Sequence, residues 1–338
     1  MIEQADILVL GLGPAGASAA REAAARGFRV VALDRKREAG VPVQCAELVP
    51  AMIDADVTGA VRQRIDAMAT FVEDDAADLQ PDFPGHMLDR AAFDAALVAR
   101  AAQAGADCRF GSRVLRIAKD GTVHLGDGSQ LRARVIVGAD GPRSQAGRAI
   151  GSVNTELVET RQVTVPLRRA HTATDIFLSA DIPGGYGWLF PKGGVANLGA
   201  GVTPGHRTRL KSIVAKLHAG LGDRVGQKVL ATTGGAIPVG GMLQPWGRLG
   251  EALVLLAGDA AGLANPVTGA GIAAAVQSGR LAGEAAAGGK AAEYQEELED
   301  LFGAALDRAL RRRRELMESV PTRAALRRGW IAYPEYWQ

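Results

Sequence analysis

The 338 residues carry 39 Lys and Arg against 37 Asp and Glu, a net charge of +2, with 47% hydrophobic and 22% charged residues. So even a balance gives no long-range attraction to nucleic acid, and no aromatic-plus-basic or zinc-binding spacing accompanies it, so nucleic acid is not expected as a partner. The length suits two domains or one large composite body, and two cysteines, Cys45 and Cys108, supply neither a disulfide framework nor a four-thiolate cluster, which points to a reducing cytoplasm.

The first segment, "ADILVLGLGPAGASAAREAAARGFRVVALDR", reads as an apolar strand, a glycine turn, an Ala-rich helix ended by Gly27, and a second strand from Phe28 to Leu33. Its apolar start is not a signal peptide, because Glu3 and Asp6 stand where positive charge belongs. Gly11, Gly13 and Gly16 form GxGxxG between strand and helix, and Asp34 closes the second strand. Such glycines permit a tight turn and close backbone approach, the helix start faces a pyrophosphate, and the carboxylate accepts from a ribose hydroxyl. The pattern predicts dinucleotide binding without choosing the dinucleotide.

An irregular stretch, "KREAGVPVQCAELVP", follows, then an expected helix around residues 49–65 and two short strand-like pieces between Ala67 and Met87. "DRAAFDAALVARAAQAG" has helical spacing and ends at Gly105, and the next segment places short strands between Asp-Gly turns. Residues 152–246 alternate in the manner of an antiparallel sheet. Within them "GYGWLFPK" sets Tyr186, Trp188 and Phe190 on one strand face, with Pro191 expected to end the pairing. That face serves equally as a sheet's core or as the wall of an apolar pocket. A buried strand from Ala252 to Ala257 then leads through a glycine turn into a helix from about Gly271, and the last 48 residues read as mostly helical. No run reaches the ~20 apolar residues of a membrane span, so any membrane contact is expected to be peripheral. The five histidines show no metal spacing, and no metal is expected.

Two further glycine elements, "VIVGADGPRSQAGR" and "VLLAGDAAGLANPVTGAGIAAA", each end an apolar strand in Gly and Asp. Asp140 or Asp259 alone is equally a helix cap or turn residue; together with GxGxxG they are far more specific. At this point the sequence resembles the FAD-dependent group that includes aromatic-ring hydroxylases and geranylgeranyl reductases. "GLGPAG", Asp34, "DRAAFD", "GADGPRS" and "GDAAGLANPVTGAGI" match its landmarks in order, from residue 11 to about residue 280. "GYGWLFPK" and "VPVQCAELVP" resemble the geranylgeranyl reductase branch in particular.

The resemblance implies non-covalent FAD, with Gly11, Gly13, Gly16 and Asp34 on its adenosine half, Arg90 along it, and Asp259 on the ribityl or phosphate region. The backbone from Pro266 through Gly269 and Ala270 to Gly271 would lie beside the isoalloxazine. Pro14, Ala15, Arg35, Cys45, Ala46, Val114, Asp140, Gly258 and Ile272 complete the implied cofactor set, and Tyr186, Trp188, Phe190 and Pro191 the substrate set. Cys45, in a segment over the pocket, is either the proton donor or a shape element, and Arg90 by itself reads equally as a solvated helix charge.

The implied fold is α/β, an α+β composite. A Rossmann-like FAD-binding domain (1–65, 87–151, 247–290) is interleaved with an antiparallel-sheet substrate domain (66–86, 152–246), and a short helical segment (291–338) follows. The implied reaction is reduction of carbon–carbon double bonds in an isoprenoid or other apolar compound, with electrons from NAD(P)H or a small redox partner protein. A flavin monooxygenase and an electron-transfer flavoprotein remain alternatives on the same scaffold. Residues 281–338 form a shorter C-terminal portion than that family usually has, and their Arg311–Arg314, Arg327 and Arg328 with Trp330, Tyr333, Tyr336 and Trp337 suit either lipid headgroups or packing on the body.

Overall fold

The computed structural model describes residues 2–50 and 59–338. Its first sheet orders the strands Trp246–Leu249, Ala252–Leu256, Gln130–Gly138, Ile2–Leu10, Val30–Leu33 and Asp107–Arg109. All neighbours in that series pair in parallel except the first two. A parallel sheet is buried on both faces, which explains why its inner strands carry continuous apolar runs rather than alternating ones. Val30–Leu33 and Ala252–Leu256 are buried at every position.

Helices Pro14–Ala25 and Ile272–Gly288 lie against each other on this sheet, and small residues let them approach closely. A Cβ at Gly279 would stand 2.1 Å from the Ala15 carbonyl oxygen, and one at Gly283 2.6 Å from that of Ala19. The alanines and glycines of these two helices therefore serve their packing.

A second, eight-stranded sheet runs Ala231–Thr233, Leu157–Pro166, Val195–Val202, Gly187–Lys192, Ala173–Leu178, Ala67–Val72 and Asp78–Gln80, with Ala236–Pro238 also on Leu157–Pro166. The expected antiparallel character holds apart from one parallel pair, Ala173–Leu178 with Ala67–Val72. One face packs on helix Leu210–Gly220 through Val163, Val165, Leu198, Ile213 and Val214. The other carries Met68, Ile176, Trp188 and Phe190 in a separate cluster with Leu326, Trp330 and Tyr333 of the C-terminal helices.

The expected helix around 49–65 is corrected at both of its described ends. Leu48–Pro50 and Val61–Ile65 are strands flanking Gly85–Leu88 in a small antiparallel sheet. The alternating side chains of "VRQRI", with Ile65 fully buried, favour that pairing. Residues 51–58 lie outside the described set.

Pro191 also departs from expectation. Pairing of its strand with Ala173–Leu178 stops at Leu189, but pairing with Val195–Val202 continues through Lys192. Proline is tolerated there because one side of the strand is already unpaired.

The C-terminal residues are helical, over Ala291–Leu298, Ala304–Glu318, Arg323–Arg328 and Pro334–Trp337. Trp330, Tyr333 and Tyr336 are buried and only Trp337 is exposed, so the tail's aromatics chiefly pack on the body. Arg327 pairs with Asp75 and Asp78, and the Tyr333 hydroxyl donates to Asp78 at 2.6 Å. No described helix is long and apolar enough to cross a membrane.

Candidate active site

Three parallel strands, Ile2–Leu10, Gln130–Gly138 and Ala252–Leu256, end side by side, which brings Gly11, Ala139 and Ala257 to one edge. Such carboxyl ends are where open α/β sheets bind ligands. Between this edge and the aromatic face of the second sheet lies a cavity of about 350 Å³.

The glycines of the first loop have separable jobs. Gly11 has φ +96°, and its amide donates to the Leu33 carbonyl at 2.7 Å. A Cβ at Gly16 would fall 1.7 Å from the Gly11 carbonyl oxygen, so that position is closed to any side chain. Gly13 caps helix Pro14–Ala25, and a Cβ there would point into open space. No side chain caps this helix and no acidic residue occupies its first turn, so its leading amides are free for an anion.

Asp34 accepts from the Leu12 amide at 2.8 Å and from the Lys36 amide at 2.8 Å, bracing the glycine loop while each oxygen keeps accepting capacity. Arg35 beside it is exposed. The Ser112 amide donates to the Asp34 carbonyl, which carries the chain towards Val114 past the same end of the site.

Arg90 is no solvated helix charge. Its side chain, 13% exposed, lies against the cavity, and its guanidinium donates to both Asp94 oxygens at 3.0 and 3.2 Å. Burial works against the charge, but Cys45 and Asp94 outweigh it and raise the Arg90 pKa. Asp94 itself is shifted up by burial, in spite of Arg90.

Asp140 and Asp259 part company. Asp140 accepts from the Ser144 hydroxyl at 2.5 Å and the Gln145 amide at 2.6 Å, so its carboxylate is engaged as a local turn and helix-start bracket. Its neighbours Ala139 and Gly141, rather than Asp140, line the cavity. Asp259 does line it, and burial pushes its pKa up to about 6 against the pull of Arg90. Gly258 lies behind it, its amide held by the Ser278 hydroxyl at 2.9 Å.

The loop into helix Ile272–Gly288 is shaped by Asn265, whose side-chain oxygen accepts from the Val267 and Thr268 amides. Gly269, Ala270, Gly271 and Ile272 face the cavity, while Pro266 stands off it and offers its carbonyl to buried Arg313. The aromatic face completes the wall. Tyr186 and Trp188 lie 5.8 Å apart edge to face, Trp188 and Phe190 6.2 Å apart, and Trp330 of the tail 4.8 Å from Tyr186. The Tyr186 hydroxyl donates to the Thr268 carbonyl at 2.6 Å, tying this wall to the glycine loop. Pro191, expected with the aromatics, does not line the cavity.

Sequence reasoning missed the polar girdle behind this wall. Glu47 (4% exposed, φ +70°) accepts from Lys192 at 2.5 Å, Asn197 at 2.8 Å and the Arg90 amide at 3.1 Å. Gln162 accepts from the Trp188 indole at 2.9 Å and donates to the Cys45 carbonyl at 3.2 Å. Cys45 lines the cavity, and its sulfur accepts from the Glu47 amide at 3.1 Å. The lysine closing "GYGWLFPK" and the lone Asn of "GVANLGAGV" were the available signals.

Comparison with known proteins places this geometry. Residues 4–180 match the FAD binding domain family, and residues 158–237 match the geranylgeranyl reductase catalytic domain family. The chain belongs to the geranylgeranyl reductase family of FAD-dependent oxidoreductases. It is 34% identical to digeranylgeranylglycerophospholipid reductase 2 of Methanosphaera stadtmanae, over 85% of this chain and 78% of that one. It is 33% identical to digeranylgeranylglycerophospholipid reductase of Methanocella arvoryzae, over 91% and 86%. In fold it is similar to a geranylgeranyl bacteriochlorophyll reductase-like protein of Thermoplasma acidophilum, with a TM-score of 0.77 at 24% identity over 99% and 98% of the two chains. A probable FAD-dependent monooxygenase of Pseudomonas aeruginosa shares the fold at TM-score 0.70 and 19% identity over 96% and 98%.

The residues present fit FAD. The uncapped helix start behind Gly13, the open space at Gly13 and Gly141, and a cavity running from the Gly13–Ala15 turn to the Gly269–Ile272 loop form a continuous track for a dinucleotide.

Proposed function

We propose that this family member saturates carbon–carbon double bonds of an isoprenoid or other long apolar substrate, held against the aromatic wall. The observation that carries this reading is a single cavity with two unlike ends. One is glycine and backbone amide; the other is Met68, Ile176, Tyr186, Trp188 and Phe190. When bound and reduced, FAD supplies a hydride to one alkene carbon.

The chain's own residues do the rest. Gly11, Gly13, Pro14, Ala15, Gly16, Asp34, Arg35 and Val114 would hold the adenosine and pyrophosphate end, and Asp259 with Gly269 to Ile272 the flavin end. Arg90, Cys45 and Ala46 line the stretch between them. Tyr186, Trp188 and Phe190 orient the apolar chain and exclude water, since aromatic rings give large contact area for few rotatable bonds. Cys45, which lines the cavity, would hold the proton for the second alkene carbon at Sγ. Tyr186 is less suited to that part, because burial raises its phenol pKa and its proton is committed to Thr268. Electrons arrive from NAD(P)H or a small redox protein.

The test is anaerobic. Photoreduced, FAD-loaded protein is mixed with a polyprenyl lipid, and the flavin bands are followed beside mass analysis of the lipid. Reoxidation coupled to a gain of two hydrogens supports the reading. Flavin that stays reduced until oxygen is admitted, with an oxygen atom then found in the product, favours a monooxygenase and overturns it.

A further inference from the structure

On the opposite face of the large antiparallel sheet, a second cleft of about 420 Å³ lies between the strand Leu157–Pro166, the edge strand Ala231–Thr233 and the start of helix Leu210–Gly220. Its lining includes Arg161, Arg207 and Lys211, and among the described residues none of these cations has a carboxylate partner. Among the described residues the one acid in the cleft is Glu159, which is already paired with Arg143. Nearby Arg209 turns away, towards the Asp181 carbonyl at 3.5 Å. Thr208 and Thr232 add hydroxyl donors.

Three cations without carboxylate partners around one concavity give it a positive local potential that a multiply charged anion would satisfy, and guanidinium groups suit phosphate oxygens geometrically. The cleft also adjoins the cavity. Thr160, Thr233 and Gly234 line both, and the rim between them is thin because Gly234 passes so near Thr160 that a Cβ would fall 2.4 Å from its carbonyl oxygen.

We propose that this cleft binds the phosphate or diphosphate group of a ligand whose remainder crosses the Gly234 rim into the cavity. The phosphate belongs either to the substrate's head or to a dinucleotide electron donor. Only the choice of owner rests on the reductase reading; the anion site itself does not.

The first measurement is titration of the FAD-loaded protein with inorganic diphosphate, because flavin already fills the other phosphate track. Arg207→Gln/Lys211→Gln alters only exposed side chains, and its flavin absorbance and melting temperature are expected to match the parent. Diphosphate affinity is expected to fall roughly ten-fold in this variant and further on adding Arg161→Gln, and to weaken with salt in the parent. Equal affinity in parent and variants overturns the proposal.

Ownership is read by two further arms. A rise in KM for a polyprenyl diphosphate with no change for the matching polyprenol assigns the site to the substrate. A rise in the NADPH concentration for half-maximal flavin reduction assigns it to the donor. Movement in neither arm overturns the contiguity. If no polyprenyl compound turns over at all, the reductase reading fails while the diphosphate titration still judges the site.

Discussion

Lys192 Nζ lies 2.5 Å from Glu47 Oε2, joining the strand that carries the aromatic wall to the segment that carries Cys45, 145 residues earlier in the chain. The Glu47 side chain is 5% exposed and the Lys192 side chain 22%. Because Gln162 also holds the Cys45 carbonyl, the cysteine's place over the cavity is fixed from both sides. Lys192→Met leaves a buried carboxylate with only Asn197 and one amide as donors, and removing one member of a buried pair costs about 3 kcal/mol. Chemical unfolding of Lys192→Met, Glu47→Gln and the double variant checks this. The double variant is expected to recover at least half of the loss, and strictly additive losses would count against the clamp.

Gly13 and Gly16 separate flavin binding from folding. Alanine at Gly16 collides with the Gly11 carbonyl, so Gly16→Ala is expected to lose both stability and flavin. Gly13 has φ −74° and ψ −172°, ordinary for alanine, and open space beside it. Gly13→Ala is expected to melt within a few degrees of the parent in its flavin-free form yet bind FAD at least ten-fold more weakly, through the methyl group placed on the pyrophosphate track. Unchanged FAD affinity by fluorescence titration would remove the track from that turn.

How far the sequence foretold this site depends on chain distance. GxGxxG with Asp34, the Asp259 turn and the Tyr186–Trp188–Phe190 alternation are local patterns, set by backbone geometry over a few residues, and the chain forms the turns and the strand face that they describe. Glu47, Gln162, Lys192 and Asn197 have no local signature, since each gains its meaning from a partner far along the chain. Asp140 is ambiguous for the converse reason: its Gly-Ala-Asp-Gly setting suits a ligand turn and a helix bracket equally, and only the Ser144 and Gln145 contacts distinguish them. The helix expected around 49–65 failed at its described ends because isolated apolar residues such as Val49 and Ile65 fit either period.

Trp330 closes one side of the cavity from the tail, 3% exposed, with its indole N–H buried and unpartnered among the described residues. Trp330→Phe gives up no hydrogen bond and is expected to cost under about 1.5 kcal/mol, whereas Trp330→Ala opens a cavity at about 3–5 kcal/mol. If the ring bounds the substrate space, Trp330→Ala also shifts preference towards bulkier apolar substrates, read as a ratio of kcat/KM values between two chain lengths. A ratio unchanged in the alanine variant would confine Trp330 to packing.

Asp259 makes the flavin-free protein sensitive to pH in a defined sense. Burial raises its pKa in the folded state to about 6 from 3.8, so between these values the folded protein binds more protons here than the unfolded chain. Stability then falls as pH rises through this window, because the unfolded state ionises the group first. The favourable contribution is complete below about pH 4 and lost above about pH 6. Asp94 and Asp140, also shifted up by burial, act in the same direction, so the parent's pH profile alone does not isolate Asp259. The difference between parent and Asp259→Asn does: urea unfolding of both flavin-free proteins is expected to show the asparagine variant gaining on the parent from pH 4.5 to pH 7. A constant difference across that range would mean that Asp259 titrates normally and that its cavity is wetter than its surroundings imply.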